Sequence, residues 1–153
     1  MNAIKFLSGI TLLIFFLSHL FCFADATNVP DAFAQNKRLG RGVNILGYDP
    51  IWRSAERGRF KSEYFPKLKH AGFDSVRINL HAFRQMDATN QWALRASWLE
   101  RLDWAVNEAQ RAGLAVILDL HKFTPLGNDP AAHKEKLMAF WRQIAARYQA
   151  APP

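Results

Sequence analysis

The chain has 153 residues, 50% of them hydrophobic and 22% charged, which excludes a disordered chain and a membrane bundle and suits one globular domain. The formal net charge of +7 invites an anionic partner, but the lysines and arginines are spread among acids. The densest basic run, Lys37-Arg38 with Arg41, is short, and no basic patch interleaves with aromatics, so nucleic acid is not expected as a partner and the charge reads as a solvated surface.

Residues 1–26 read as a signal peptide. Lys5 supplies a positive start, Phe6 to Phe21 is a mostly apolar stretch, and Ala24-Asp25-Ala26 fits a small-x-small cleavage pattern, predicting cleavage before Thr27. The stretch is short for a membrane span and contains Ser18 and His19. The mature chain, 27–153, is therefore expected to be secreted or periplasmic, with no membrane association once the leader is removed. The single cysteine, Cys22, lies inside the leader behind a bulky Phe21, which argues against a lipoprotein. The mature chain then has neither a disulfide nor a thiol nucleophile.

The mature chain opens on a polar lead, Thr27 to Lys37. Gly40 to Leu46 predicts a first strand, followed by a turn-rich, aromatic loop from Gly47 to Gly58. Ser62 to Ala71 predicts a short helix with Phe65 and Leu68 on one face, and Gly72 just beyond its end. Pro66 fits this helix only in its first turn. Ser75 to Leu80 predicts a second strand, and His81 to Trp92 a long polar-aromatic loop. Ser97 to Ala112 predicts the clearest helix, with Trp98, Leu102, Val106 and Ala109 at helical spacing and Gly113 after it. Leu114 to Leu120, nearly all apolar, predicts a strand buried on both faces. Asp129 then caps a helix with Pro130 at its first position and Leu137, Phe140, Trp141, Ile144 and Tyr148 on its apolar face.

This β-α-β-α-β-α order predicts an α/β fold with a parallel sheet. Two segments echo each other: Ala71-Gly72-Phe73 leads to Val76-Arg77-Ile78-Asn79-Leu80-His81, and Ala112-Gly113-Leu114 leads to Val116-Ile117-Leu118-Asp119-Leu120-His121. Sites in such folds form at the C-terminal ends of the strands. Side chains alternate along a strand, so Arg77, Asn79, Asp119 and His121 share the face opposite Val76, Ile78, Leu118 and Leu120. Two readings of that polar face stand side by side: a functional surface, or a satisfied network with Arg77 paired to Asp119.

Other chemistries lack their motifs. No H-E-x-x-H spacing supports a metal, no G-x-G-x-x-G or Walker loop supports a nucleotide cofactor, and no G-x-S-x-G elbow supports a serine nucleophile. No cofactor is expected. The loops carry Tyr48, Trp52, Phe83 and Trp92, which fit either stacking on the apolar faces of sugar rings or packing within a lid.

The ordered motifs resemble glycoside hydrolase family 5, the cellulase-like family of TIM-barrel glycosidases. Leu39-Gly40-Arg41-Gly42-Val43-Asn44 is similar to the family's first strand. The run from Phe65 to Ile78 is similar to its first helix and second strand, and Trp98 to His121 to its second helix and third strand. The resemblance implies the first three βα units of a (β/α)8 barrel, incomplete because a whole barrel takes about 250 residues. It implies a retaining hydrolase of β-linked polysaccharide, cellulase or endoglucanase-like, in which one glutamate protonates the leaving oxygen and a second attacks the anomeric carbon. Arg77 matches the arginine that supports the nucleophile, and His121 the histidine that holds the sugar beside the cleaved bond. His121, Trp52 and Asn44 are the expected substrate contacts, Asn44 with a structural or rim role. Lys122 departs from the family, many members of which have a second histidine or an aromatic there.

In the family the acid sits in an Asn-Glu-Pro motif ending strand four and the nucleophile on strand seven. This chain holds neither, and Glu108 and Glu135 lie on helix patterns. The expectation is an N-terminal fragment of the hydrolase, ending after the third helix at Ala150-Ala151-Pro152-Pro153 and inactive alone. The alternatives are a non-catalytic half-barrel that binds carbohydrate or another protein, and a small independent α/β domain.

Overall fold

The computed structural model describes residues 31–121 and 124–151. The leader with Cys22, Thr27, Lys122, Phe123 and the terminal prolines lie outside them. Two units divide after Gln35. Of the first, only 31–35 is described: it begins helix α1 (Ala32–Leu39), where the sequence suggested a polar lead. The second unit holds the sheet and its helices.

Three parallel strands, β1 (Gly42–Ile45), β2 (Ser75–Leu80) and β5 (Ala115–Leu120), form one sheet in the order β1-β2-β5. The intervening elements are α2 (Tyr64–His70) between β1 and β2, and α3 (Ala96–Arg111) between β2 and β5. Beyond β5 come a short α4 (Thr124–Asn128) and the long α5 (Pro130–Tyr148). The predicted loop between β2 and α3 also contains a small antiparallel pair, β3 (Met86–Asp87) with β4 (Ala93–Leu94).

Register sorts the side chains. Val43, Val76 and Val116 form one cross-strand row, and Ile45, Ile78 and Leu118 another. With Leu80 they face the helices, and Val76, Ile78 and Leu80 are fully buried. Trp98, Leu102, Ala105 and Ala109 of α3 and Phe140 of α5 close over the same core with at most 1% exposure. Phe65 from α2 is also fully buried, edge-on to Phe60 and Trp104. Only Leu120 of β5 is buried. The expected two-sided burial fails because β5 is bordered by β2 alone and its far face is polar at the top.

Both helix ends before the inner strands close in the same way. Gly72 donates to Lys69 O and Phe73 to Leu68 O; Gly113 donates to Gln110 O and Leu114 to Ala109 O. These paired bonds need a left-handed residue at the turn, and the glycines stand at φ +81° and +73°. The chain echo is thus a repeated helix stop that aims the next strand. Pro66 lies third in α2, within the first turn, which explains why that helix starts at Tyr64 rather than Ser62. Strand β1 ends at Ile45 because Leu46 turns left-handed at φ 65°. At the other end of the chain Asp129 accepts from Ala132 N at 2.9 Å, capping α5 with Pro130 in its first turn.

Helix α5 is held to α3 by a polar clasp. Arg147 Nε donates to Asp103 Oδ1 at 2.7 Å, its guanidinium also reaches Oδ2, and the Tyr148 hydroxyl donates to Oδ1 at 2.8 Å. The Arg147 bonds hold the Asp103 carboxyl below its ordinary 3.8, whereas burial pushes the Tyr148 hydroxyl above its ordinary 10.0. A depressed carboxyl stabilises the fold above its unfolded pKa, and that contribution is lost as pH falls through the folded value; a raised phenol contributes below its unfolded value and loses this as pH rises. Asp103→Asn is therefore expected to lower the melting temperature at pH 7 and to flatten its fall below about pH 4. Melts of both proteins at pH 7 and pH 3 check this, and equal losses would remove the clasp as a source of acid sensitivity.

Candidate active-site face

The rows Asn44–Arg77–Ile117 and Asn79–Asp119 lie on the sheet face turned away from the helices. His121 continues the ladder by donating its backbone N–H to Leu80 O at 2.9 Å. Asp119 is the hub. Its Oδ2 accepts from an Arg77 terminal nitrogen at 2.9 Å, from Asn79 Nδ2 at 3.0 Å and from His121 Nδ1 at 2.8 Å. Asn79 Nδ2 and His121 Nδ1 approach to 3.1 Å. This closeness follows from sharing one acceptor: an ionised Asp119 makes both nitrogens donors. The proton then sits on Nδ1 of His121, and Nε2 is left for an outside partner.

Burial grades the cluster. Asn79 is 5% exposed and the Asp119 side chain 13%, while those of Arg77 and His121 stand 42% and 41% exposed. The buried pair thus orients two exposed groups, a guanidinium with free donors and an imidazole nitrogen. The network is satisfied, with Arg77 paired to Asp119, and it still presents polar groups outward. Asp119, with one oxygen carrying three bonds, positions its neighbours and is ill-placed to trade protons itself.

Asn44 is exposed and stands beside Arg77 in its row. Trp52, an expected substrate contact, is turned mostly inward yet still lines the concavity bearing Tyr48 and Arg53. It is 8% exposed, its indole N–H is donated to Leu46 O, and its ring packs on Trp98 at 5.5 Å. The cause is local: Asp49 Oδ1 accepts from Ile51 N at 2.9 Å, starting the Pro50–Trp52 turn, which folds the indole inward. Asp49 further accepts from the Arg59 and Phe60 amides at 3.0 and 2.9 Å, so it staples the loop. Phe83 is 9% exposed and Trp92 half-buried, with the Lys136 ammonium 4.9 and 4.7 Å from their ring centres. These rings pack on the Lys136 side chain. Tyr48, 83% exposed, is the open aromatic of the rim; it lies 4.7 Å from the His81 ring, which in turn stands edge-on to His121 at 5.8 Å.

One support was invisible in the sequence. Gln143 of α5 accepts from Leu94 N at 2.8 Å and donates to Trp92 O at 3.0 Å. It thereby clamps the β3–β4 turn, where Gln91 and Trp92 adopt φ of 48° and 61°. Among the described residues no cluster of His, Cys, Asp and Glu has the arrangement to hold a metal ion, and no helix is long and apolar enough to cross a membrane.

The family model for Cellulase (glycosyl hydrolase family 5) matches residues 37–153. The chain belongs to this family. A xyloglucan-specific endo-beta-1,4-glucanase of Bacteroides ovatus is 33% identical over 116 residues, covering 72% of this chain and 22% of that protein. Endoglucanase A of Paenibacillus barcinonensis is 26% identical over 98 residues, covering 58% of this chain and 24% of that protein. Among solved structures, Thermotoga maritima Cel5A in complex with cellobiose superposes with a TM-score of 0.71 and 37% identity, over 80% of this chain and 40% of that one. The family 5 chain thus spans less than half the length of each. Its α/β fold with a parallel sheet is that of these glycosidases.

Proposed function

We propose that these residues form the first three βα units of a (β/α)8 barrel in a secreted, retaining glycoside hydrolase that cleaves β-linked polysaccharide. The observation that carries the reading is the Asp119-centred network at the C-terminal ends of β2 and β5, where barrel glycosidases build their sites. Arg77 supplies a positive charge that would keep a neighbouring nucleophilic carboxylate ionised. His121, its tautomer set by Asp119, offers Nε2 to a sugar hydroxyl beside the cleaved bond. The acid and the nucleophile are assigned to the family's strands four and seven, outside these 153 residues. Leader removal before Thr27 would deliver the chain outside the cytoplasm.

The test is calorimetry of the 153-residue chain with cellotetraose against maltotetraose, which differ in the hand of the linkage, alongside a reducing-sugar assay. Weak binding of the β-linked sugar alone is expected, reduced about five-fold by His121→Ala. No hydrolysis is expected. Binding of neither sugar, or equal binding of both, would sink the reading, and measurable turnover would refute the placement of the carboxylates.

A further inference from the structure

Beside the Asp119 face lies a concavity of about 370 Å³, within the usual range for small-ligand pockets. Tyr48, Asp49, Arg53, His81 and Arg84 are among its lining residues. It adjoins the site already described, because His81 touches Tyr48 on one side and stands edge-on to His121 on the other. A saccharide held at His121 would therefore run its next unit toward Tyr48.

The charge of this pocket sets it apart. Two arginines, Arg53 and Arg84, line it together with one carboxylate, Asp49. Among the described residues neither arginine forms an ion pair with a carboxylate. Asp49 forms no ion pair with either; its oxygens accept from the Ile51, Arg59 and Phe60 amides. Both arginines are exposed, and both line this one pocket. Planar guanidinium forks match a carboxylate better than a neutral hydroxyl, and in a concave setting their fields add.

We infer that this pocket selects an acidic sugar: the substrate is a β-linked polysaccharide carrying uronate carboxylates, one of which sits between Arg53 and Arg84 while its ring lies over Tyr48. The inference rests on the β-glycan reading above and narrows it.

A matched pair of ligands tests it: cellotetraose, and the same tetrasaccharide oxidised at C6 so that the hydroxymethyl groups become carboxylates. Calorimetry on the whole chain at low ionic strength is expected to show about tenfold tighter binding of the oxidised sugar. Arg53→Gln and Arg84→Gln should each erode that preference, and added salt should too, while cellotetraose binding stays unchanged. Both positions are exposed, so circular dichroism should show the variants folded. Equal affinity for the two sugars, or a preference that survives the double substitution, overturns the inference and leaves the β-glycan reading standing. Binding of neither sugar overturns both.

Discussion

Asp119→Ala is expected to lower the stability of the fold by about 2 kcal/mol and to abolish the proposed β-glucan binding. The cost is not shared equally among the groups that lose their acceptor. The side chains of Arg77 and His121 are 42% and 41% exposed, so water can replace the carboxylate for both. Asn79 is 5% exposed and cannot recruit water in the same way. Its stranded amide carries most of the penalty, since a buried donor without an acceptor costs roughly 1–3 kcal/mol. For a domain of this size the melting temperature should fall by about 10 °C. Loss of binding has a separate origin: without Asp119 the His121 ring loses its tautomer and its orientation. A double-mutant cycle separates the two effects. Asn79→Ala should cost stability alone yet return part of it when combined with Asp119→Ala, because the orphan donor has gone. If the two losses simply add, the amide is not what the carboxylate satisfies. Binding should remain absent in the double variant, as the histidine is still unmoored.

This cluster was legible because a strand has a period of two. Once Ser75–Leu80 and Leu114–Leu120 read as strands, the alternation placed Arg77, Asn79, Asp119 and His121 on one face with no further information. The glycines after the helices were equally plain, since Gly72 and Gly113 do what few other residues do cheaply. The rim was not legible. Whether an aromatic in a loop faces water depends on the turn that carries it: Asp49 folds Trp52 inward, whereas Tyr48, four residues earlier, is left outside. Nor does local sequence show that Gln143 reaches across 49 positions to Leu94, or that Arg147 and Tyr148 converge on Asp103. Such contacts are set by how helices pack, and the sequence carries no periodic trace of them.

Trp98→Ala should be among the most damaging single changes, costing about 4 kcal/mol, because an indole with 1% exposure leaves a cavity the fold cannot fill. Against a typical total of about 5–15 kcal/mol that is a large share. The ring does more than fill volume. It is the platform for Trp52, whose indole N–H binds Leu46 O at the point where Leu46 adopts its left-handed φ of 65°. Arg101 of the same helix donates to Trp52 O at 3.4 Å. Helix α3 therefore fixes the end of β1 and the loop bearing Tyr48 and Arg53 through one aromatic stack. Leu102→Ala, at a fully buried position on the same helix, is the proper control, since it should cost a comparable amount without touching that stack. Trypsin under native conditions should then cut at Arg53, Arg57 and Arg59 faster in the Trp98 variant than in the Leu102 variant of matched stability. Trp98→Phe, which keeps a ring under Trp52, should restore most of the protection. If both alanine variants are cut at the same rate, loop opening merely follows global unfolding, and the stack has no separate part in holding the rim.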